Sequence, residues 1–149
     1  MSKFLFFLAL ALALSPAIAC AWPGTVMSIR DGDTIVVAPA GDKSILIPVR
    51  LYGIDAPERL QPHGISAAKA LEKLLPVKAI VEIIPLSIDK YGRHVALVAH
   101  YGKVINGKMV SDGHAWVYGR FCRAAMCREW YRDQKKAIAD KIGLWAEDN

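Results

Sequence analysis

The pattern of apolar and polar positions along the chain predicts five strands. Short β-branched runs, each bounded by turn residues, occupy five segments: 25–29, 34–38, 44–52, 78–84 and 94–100. Asp31-Gly32 lies between the first two runs, and Asp-Gly in that position is a strong signal for a β-hairpin. The first two strands are therefore expected to pair directly.

Three further segments predict helices. Apolar residues at helical spacing predict a helix over 65–75 that ends at Pro76, a short helix follows over 105–112, and an amphipathic helix covers 127–141. Five strands, with one helix after the third and the others at the end, predict an α+β, mainly β fold. We expect a closed five-stranded barrel of the oligonucleotide-binding (OB) type with about three helices, although the pattern also fits other small α+β folds.

The N-terminus has the features of an export signal. Lys3 precedes an unbroken apolar stretch over 4–14, and small residues follow over 17–21. The stretch is shorter than the roughly 20 residues that a membrane span needs, so a cleaved signal peptide over 1–21 is predicted, with one domain over 22–149. The protein is then periplasmic or secreted. The alternatives are a buried N-terminal helix and a lipid anchor on Cys20.

Charge and cysteine content narrow the class of protein. The formal net charge of +5 favours polyanionic partners such as nucleic acid, but it is weak evidence alone. Three cysteines in an exported chain suggest pairing, and Cys122 and Cys127 are close enough in sequence for a local disulfide. A zinc site and free thiols are the alternatives.

Three charged clusters at the ends of apolar runs carry the candidate chemistry. They are Asp-Gly-Asp-Thr at 31–34, Arg-Leu-Tyr-Gly-Ile-Asp-Ala-Pro-Glu at 50–58 and Asp-Lys-Tyr-Gly-Arg at 89–93. Asp33 follows the predicted turn and either directs a carboxylate at a cation or is a solvated flank of the hairpin. Segment 55–58 looks like a helix cap, but Pro62 and Gly64 would break a helix there.

A divalent cation with a phosphate explains these residues together. Asp33, Asp55 and the carbonyl of Ala56 could hold Ca²⁺, with Mg²⁺ as the alternative. Glu58 would then orient or deprotonate an attacking water.

Basic and aromatic residues would bind the substrate. Arg50 and Arg93 suit the charge of a phosphodiester under attack, although each alone could be an ordinary surface charge. Lys90 and Tyr91 could contact a terminal phosphate and stack on a base. Tyr118, with Arg120 and Phe121 beside it, is either a wall of the substrate site or ordinary packing.

In these motifs the chain resembles the staphylococcal nuclease family, over nearly all of 25–148. The resemblance implies a five-stranded barrel with three helices and calcium-dependent hydrolysis of DNA and RNA, single-stranded or locally melted, by a monomer without an obligate protein partner. It also implies cleavage of the bond between phosphorus and the 5′ oxygen, which leaves 3′-phosphates.

The resemblance implies roles for individual positions. Asp33, Asp55 and Ala56 match calcium ligands and Glu58 matches the general base. The substrate would be bound by residues that match phosphate-binding or wall positions: Arg50, Lys90, Tyr91, Arg93 and Tyr118. The cysteine-containing stretch 116–128 and Gly107, in the middle of a predicted helix, depart from the best-known member. The alternative function is a catalytically inactive OB-fold module that binds nucleic acid or protein.

Overall fold

A strongly twisted sheet closes into a barrel in the computed structural model, which describes residues 20–146. The eight strands are β1 (Trp22–Ile29), β2 (Thr34–Pro39), β3 (Ile47–Leu51), β4 (Ile54–Asp55), β5 (Ile80–Ile88), β6 (His94–His100), β7 (Lys103–Val104) and β8 (Trp116–Val117). The main sheet has the order β3-β2-β1-β5-β6-β7, and an additional parallel pairing of β3 with β6 closes it. The short strands β4 and β8 form a separate antiparallel pair.

Three helices cover the barrel: α1 (Gly64–Leu74), α2 (Ile105–Ser111) and α3 (Cys127–Ala139), and a 3₁₀ turn follows at Gly143–Trp145. Leu71 of α1, Met109 of α2 and Trp130 of α3 are buried in one core with the inward side chains of the strands. The barrel itself consists of five strands: β1, β2, β3, β5 and β6. This five-stranded barrel with three helices confirms the predicted fold. Within residues 20–146, none of the helices has the length and apolar character needed to cross a membrane. The predicted signal peptide lies almost wholly outside these residues.

Four strand boundaries differ from the sequence-based expectation by two residues or more. The first strand begins at Trp22 rather than at 25 and the fifth begins at Ile80 rather than at 78. The other two differences have a clear physical cause. The third strand begins at Ile47 rather than at 44, because Asp42 accepts hydrogen bonds from the main-chain N–H and the hydroxyl of Ser44 and extends the turn. The fifth strand continues to Ile88 rather than ending at 84. Its register shifts between Pro85 and Ser87, and this bulge accommodates a proline that has no N–H for the ladder.

Gly107 has a packing role in the middle of α2. A Cβ at this position would lie 2.3 Å from Nε1 of Trp130 on α3, which is far inside contact distance. The glycine therefore allows α2 and α3 to approach closely. This contact provides a physical reason for a residue that is otherwise unfavourable inside a helix.

Candidate active site

Arg50 lies between two carboxylates at the closing seam of the barrel. Its guanidinium group forms an ion pair with Asp33, and its Nη2 donates a hydrogen bond of 2.6 Å to Oδ1 of Asp55. Antiparallel pairing places Arg50 opposite Thr34, the neighbour of Asp33, so the sheet register brings the first two motifs together. The side chains of Asp33 and Arg50 are 6% and 14% exposed, whereas that of Asp55 is 34% exposed and faces the solvent side.

Both carboxylate oxygens of Asp33 are held by neighbouring groups. The Thr34 hydroxyl donates to Oδ1 at 2.9 Å, and the main-chain N–H of Ala56 donates to Oδ2 at 2.7 Å. Ala56 therefore reaches the cluster through its N–H, and its carbonyl as a metal ligand stays a prediction. These bonds fix the orientation of Asp33 before any ligand binds.

Asp31 belongs to the same cluster, although the sequence indicated only a turn residue at this position. Its Oδ1 accepts a hydrogen bond of 3.0 Å from the N–H of Asp33. Burial raises the pKa of Asp31, while the positive charges of Arg50 and Arg93 oppose the rise. Both arginines thus act electrostatically on the same carboxylate. The Asp-x-Asp spacing was the only available sign of this role.

Strand register explains why Arg93 joins Arg50. The parallel pairing of β3 with β6 aligns Arg50 with Val95, two residues after Arg93. Burial lowers the pKa of Arg50 and the like charge of Arg93 adds to that effect, whereas the Asp55 carboxylate opposes it. The register therefore places both arginines at the same seam of the barrel, and guanidinium groups are well suited to bind oxyanions.

The 89–93 turn holds Arg93 through Asp89. This carboxylate accepts hydrogen bonds from the N–H groups of Tyr91 and Arg93 at 2.9 and 3.0 Å, and from Nε of Arg93 at 2.8 Å. Burial raises the pKa of Asp89, but these bonds outweigh it and the pKa lies below its ordinary value. Lys90 Nζ and Arg93 Cζ lie 4.9 and 5.5 Å from the centre of the Tyr91 ring, which is 71% exposed.

Asp55 is positioned by β8 and by the disulfide-containing loop that follows it. It pairs with Trp116 across β4 and β8, and the N–H of Tyr118 donates to the carbonyl of Gly53 at 2.8 Å. The structure contains a disulfide between Cys122 and Cys127, while Cys20 is free and exposed. We call residues 118–127 the disulfide loop.

The disulfide loop packs directly on the turn before Asp55. The hydroxyl of Tyr52 accepts hydrogen bonds from the N–H groups of Arg123 and Ala124 at 3.0 and 3.3 Å. Gly53 has a φ of 74°, and a Cβ there would lie 2.7 Å from Sγ of Cys122. The glycine is required both for its left-handed conformation and for this close approach.

Glu58 lies in a turn whose main chain is fixed and whose side chain is exposed. Its N–H donates to Oε1 of Gln61 and its carbonyl accepts from the N–H of Gln61, both at 2.8 Å. A Cβ on Gly64 would lie 1.9 Å from the carbonyl oxygen of Glu58, so the turn is tightly packed. Within residues 20–146, the Glu58 carboxylate forms no ion pair with the arginines. The structure does not bring this predicted base into the buried cluster.

Tyr118 lies on the disulfide loop and is 37% exposed. Its ring meets that of Phe121 edge to face at 5.0 Å, and Cζ of Arg120 lies 5.5 Å from the centre of the Phe121 ring. These contacts form a basic and aromatic surface on the loop that positions Asp55. The role of Tyr118 as a substrate wall stays a prediction.

Asp33 and Asp55 suit a hard divalent cation whose other ligands are carbonyl, water and phosphate oxygens. Among residues 20–146, no three His, Cys, Asp or Glu side chains gather as a metal site. The sulfurs of Cys122 and Cys127 are joined in the disulfide, so neither is a thiolate for the alternative zinc site. Asp33 and Asp55 do converge on the single cationic group of Arg50. Carboxylate oxygens completed by carbonyls, water and phosphate are suitable ligands for Ca²⁺ or Mg²⁺.

Comparison with known proteins identifies the family. The model of a family described as staphylococcal nuclease homologues matches residues 48–147. The chain belongs to the staphylococcal nuclease family. This match confirms the family predicted from the motifs and includes Arg50, Asp55, Glu58 and Arg93. Asp33 precedes the matched region.

Several relatives carry the names of nucleases. The chain is 38% identical over 124 residues to an "uncharacterized endonuclease" of Haemophilus influenzae, covering 83% of this chain and 66% of that protein. It is 34% identical over 137 residues to a micrococcal nuclease of Shigella flexneri, covering 85% and 75%. A staphylococcal-like nuclease of Arabidopsis thaliana is 33% identical over 101 residues, 68% of this chain but 30% of the plant protein.

Proposed function

We propose that this protein is a metal-dependent nuclease that hydrolyses phosphodiester bonds in DNA and RNA. The observation that carries the proposal is the position of Arg50, which is bound by Asp33 and Asp55 at the seam where β3 pairs with β6, the strand that directly follows Arg93. Two carboxylates suit a cation and two guanidinium groups suit a phosphate. The names of the relatives support the same reaction class.

In this proposal Arg50 and Arg93 bind the nonbridging oxygens of the scissile phosphate. Guanidinium groups donate paired hydrogen bonds that match phosphate oxygens, and these bonds strengthen as negative charge develops during attack. Asp89 holds Arg93 through its Nε, which leaves the terminal nitrogens of the guanidinium group for substrate. The ordinary pKa of arginine is too high for efficient proton donation, so both act as charges.

Glu58 is the proposed general base. Its exposed carboxylate lies three residues after Asp55 in a turn of fixed main chain, and it would accept a proton from the attacking water. Asp33 and Asp55, with the carbonyl of Ala56, would hold the cation. When bound, a divalent cation would stabilise negative charge on the phosphate and lower the pKa of a bound water.

Ca²⁺ is the proposed cation, with Mg²⁺ less suited. Ca²⁺ accepts a flexible set of six to eight oxygens, whereas Mg²⁺ demands near-ideal octahedral geometry. Cleavage at the bond to the 5′ oxygen, which leaves 3′-phosphates, is part of the proposal. The exposed rings of Tyr91 and Tyr118 would stack on unpaired bases, which favours single-stranded or locally melted substrate. We further propose that the protein is exported and acts as a monomer.

One experiment tests the reaction. Purified protein is incubated with single-stranded DNA or RNA in Ca²⁺, in Mg²⁺ or in a chelator, and the new ends are analysed. We expect cleavage with Ca²⁺, none in the chelator, and products that carry 3′-phosphates. Cleavage that persists in the chelator would refute the metal-dependent scheme. Binding of DNA without cleavage under all conditions would instead support the inactive OB-fold module.

A second experiment tests export. The N-terminal sequence and mass of the protein are measured after expression in a bacterium with intact secretion. A mature chain that begins at residue 20, 21 or 22 supports a signal peptide. A lipid mass on Cys20 supports the anchored alternative, and an uncleaved N-terminus contradicts both.

A further inference from the structure

A large groove lies at the opposite end of β6 from Arg93. It has a volume of about 1300 Å³ and is formed by the end of α1, the start of β5, the β6–β7 turn, α2 and α3. None of the proposed active-site residues lines it. Strand β6 separates the two regions, and its seven residues span roughly 20 Å at about 3.3 Å per residue. We call this feature the lysine groove.

Lysines from three elements and a turn line this groove. They are Lys73 near the end of α1, Lys78 before β5, Lys103 in β7 and Lys108 in α2. The opposing charges are Glu129 and Asp133 on the α3 wall, and Lys108 also pairs with Asp112. The lining therefore has more positive than negative side chains.

A neighbouring histidine, His114, lies within the electrostatic reach of two of the groove lysines. Burial lowers the pKa of His114, and the charges of Lys73 and Lys108 lower it further, while Asp112 opposes them. Two of the groove lysines thus act on the same imidazole from different helices. An anion that neutralised them would raise the pKa of His114.

An aromatic platform stands at the edge of the lysine groove. The ring of Tyr101 is 4.2 Å from that of His100 at an interplanar angle of 31°, and Tyr101 is 92% exposed. Nδ1 of His100 donates to the carbonyl of Leu74 at 2.8 Å, so the inner ring is fixed. Tyr101 also has a φ of 49°, an uncommon conformation for a bulky residue. The fold thus exposes one face of the Tyr101 ring to solvent, in a backbone conformation that is unfavourable for this residue.

We propose that the lysine groove binds single-stranded nucleic acid outside the active site, with a base stacked on Tyr101 and phosphates near the lysines. An electropositive channel beside an exposed aromatic ring is the usual means of binding a strand without reading its sequence. The exposed ring distinguishes this ligand from an acidic peptide, which needs charge alone. The groove would hold a long substrate while another part of it is cleaved. Only the part of the inference that concerns cleavage of a bound substrate rests on the proposed function.

Binding of a labelled oligonucleotide tests the groove without cleavage. Fluorescence anisotropy of a 20-nucleotide oligo(dT) is measured with the full chain in a chelator. We expect a triple variant, Lys73→Gln, Lys103→Gln and Lys108→Gln, to bind about tenfold or more weakly. The slope of log affinity against log salt should fall by about 2, since each lost phosphate contact on a single strand contributes roughly 0.7. Tyr101→Ala should weaken binding by about tenfold with little change in this slope.

The matched control replaces three exposed lysines outside the groove, by Lys43→Gln, Lys135→Gln and Lys136→Gln. Equal losses in the two triple variants would reduce the effect to overall charge and overturn the proposal. Binding of polyglutamate is measured for the same variants. If the groove variants lose as much affinity for polyglutamate as for the oligonucleotide, and Tyr101→Ala has no effect, the groove would favour an acidic peptide. That result would also overturn the nucleic-acid proposal. For wild type, the pKa of His114 measured by NMR should rise when the oligonucleotide binds.

Cleavage kinetics then separate the groove from the active site. With Ca²⁺, the groove variants should have a raised KM for long single-stranded DNA, an unchanged kcat, and normal cleavage of a dinucleotide. If the protein binds the oligonucleotide through the groove but cleaves nothing, the groove stands and the proposed function fails. If it cleaves long and short substrates equally well in all variants, the groove proposal fails and the nuclease stands.

Discussion

The buried cluster around Arg50 and the exposed turn around Glu58 are organised in opposite ways. Asp33 is 6% exposed, and both its oxygens accept hydrogen bonds from neighbouring groups. Glu58 has an exposed side chain on a turn in which only the main chain is fixed. The groups proposed for the cation and the phosphate are thus pre-organised by the fold. The group proposed for proton transfer is free to adjust when substrate and water arrive.

This difference separates stability from catalysis. Removing one partner of a buried ion pair leaves an uncompensated charge, which lowers the free energy of unfolding as well as activity. Removing an exposed carboxylate that forms no ion pair within residues 20–146 should affect the reaction alone. Mutations in the buried cluster should therefore lower both stability and activity, whereas mutation of Glu58 should lower activity alone.

The largest combined effect is expected for Asp33→Ala. It leaves the N–H of Ala56 without its acceptor and Arg50 with Asp55 as its remaining carboxylate, so the free energy of unfolding should fall by about 3 kcal/mol, and nuclease activity should be lost. Chemical denaturation and a cleavage assay measure the two effects. The control is Asp140→Ala at the exposed position directly after α3, which should change little. A variant as stable as wild type would show that the cluster is not pre-organised as described.

Glu58→Gln should affect only the reaction. Loss of the proposed general base should lower kcat by about 10²–10⁴-fold, while the melting temperature should stay within a degree or so of wild type because the side chain is exposed. Steady-state kinetics and thermal unfolding are measured in parallel with Glu72→Gln, an exposed glutamate on α1. Wild-type turnover in Glu58→Gln would remove this residue from the mechanism.

Opening the disulfide should weaken the support of Asp55. A double change, Cys122→Ser with Cys127→Ser, should lower the free energy of unfolding by about 2 kcal/mol, the amount expected for so short a loop. Because this loop packs on Tyr52 and Gly53, affinity for Ca²⁺ should also fall, as isothermal titration can show. Cys20→Ser is the control. Unchanged metal affinity would confine the disulfide to a stabilising role.

The smallest effect concerns a histidine outside both regions. Burial lowers the pKa of His114 below its ordinary value near 6.5, so the folded state binds fewer protons than the unfolded chain in the window below that value. Stability should therefore be fully present above about pH 6.5 and decline as pH falls through this window. His114→Gln should flatten the decline by a few tenths of a kcal/mol, since the side chain is partly exposed. Denaturation at several pH values checks this, and a steeper decline in the variant would contradict it.

The sequence was sufficient to predict the barrel but not the contacts that orient its site. Strong β-branched runs and charged motifs at their ends predicted the strands and the family. The bond from Ala56 N–H to Asp33, the ion pair of Arg50 with Asp33 and the packing of Gly53 on Cys122 join residues distant in sequence. Local patterns contain no information on such approaches. The bulge at Pro85 was missed for a related reason, because proline alone suggests the end of a strand.

The pairing of β4 with β8 has a consequence for biosynthesis. Asp55 is aligned by its pairing with Trp116. Trp116 is synthesised about sixty residues later than Asp55. A nascent or truncated polypeptide that ends before Trp116 contains every charged group assigned to the reaction, yet lacks the strand that orients one of them. Hydrolytic competence should thus arise only once translation is nearly finished.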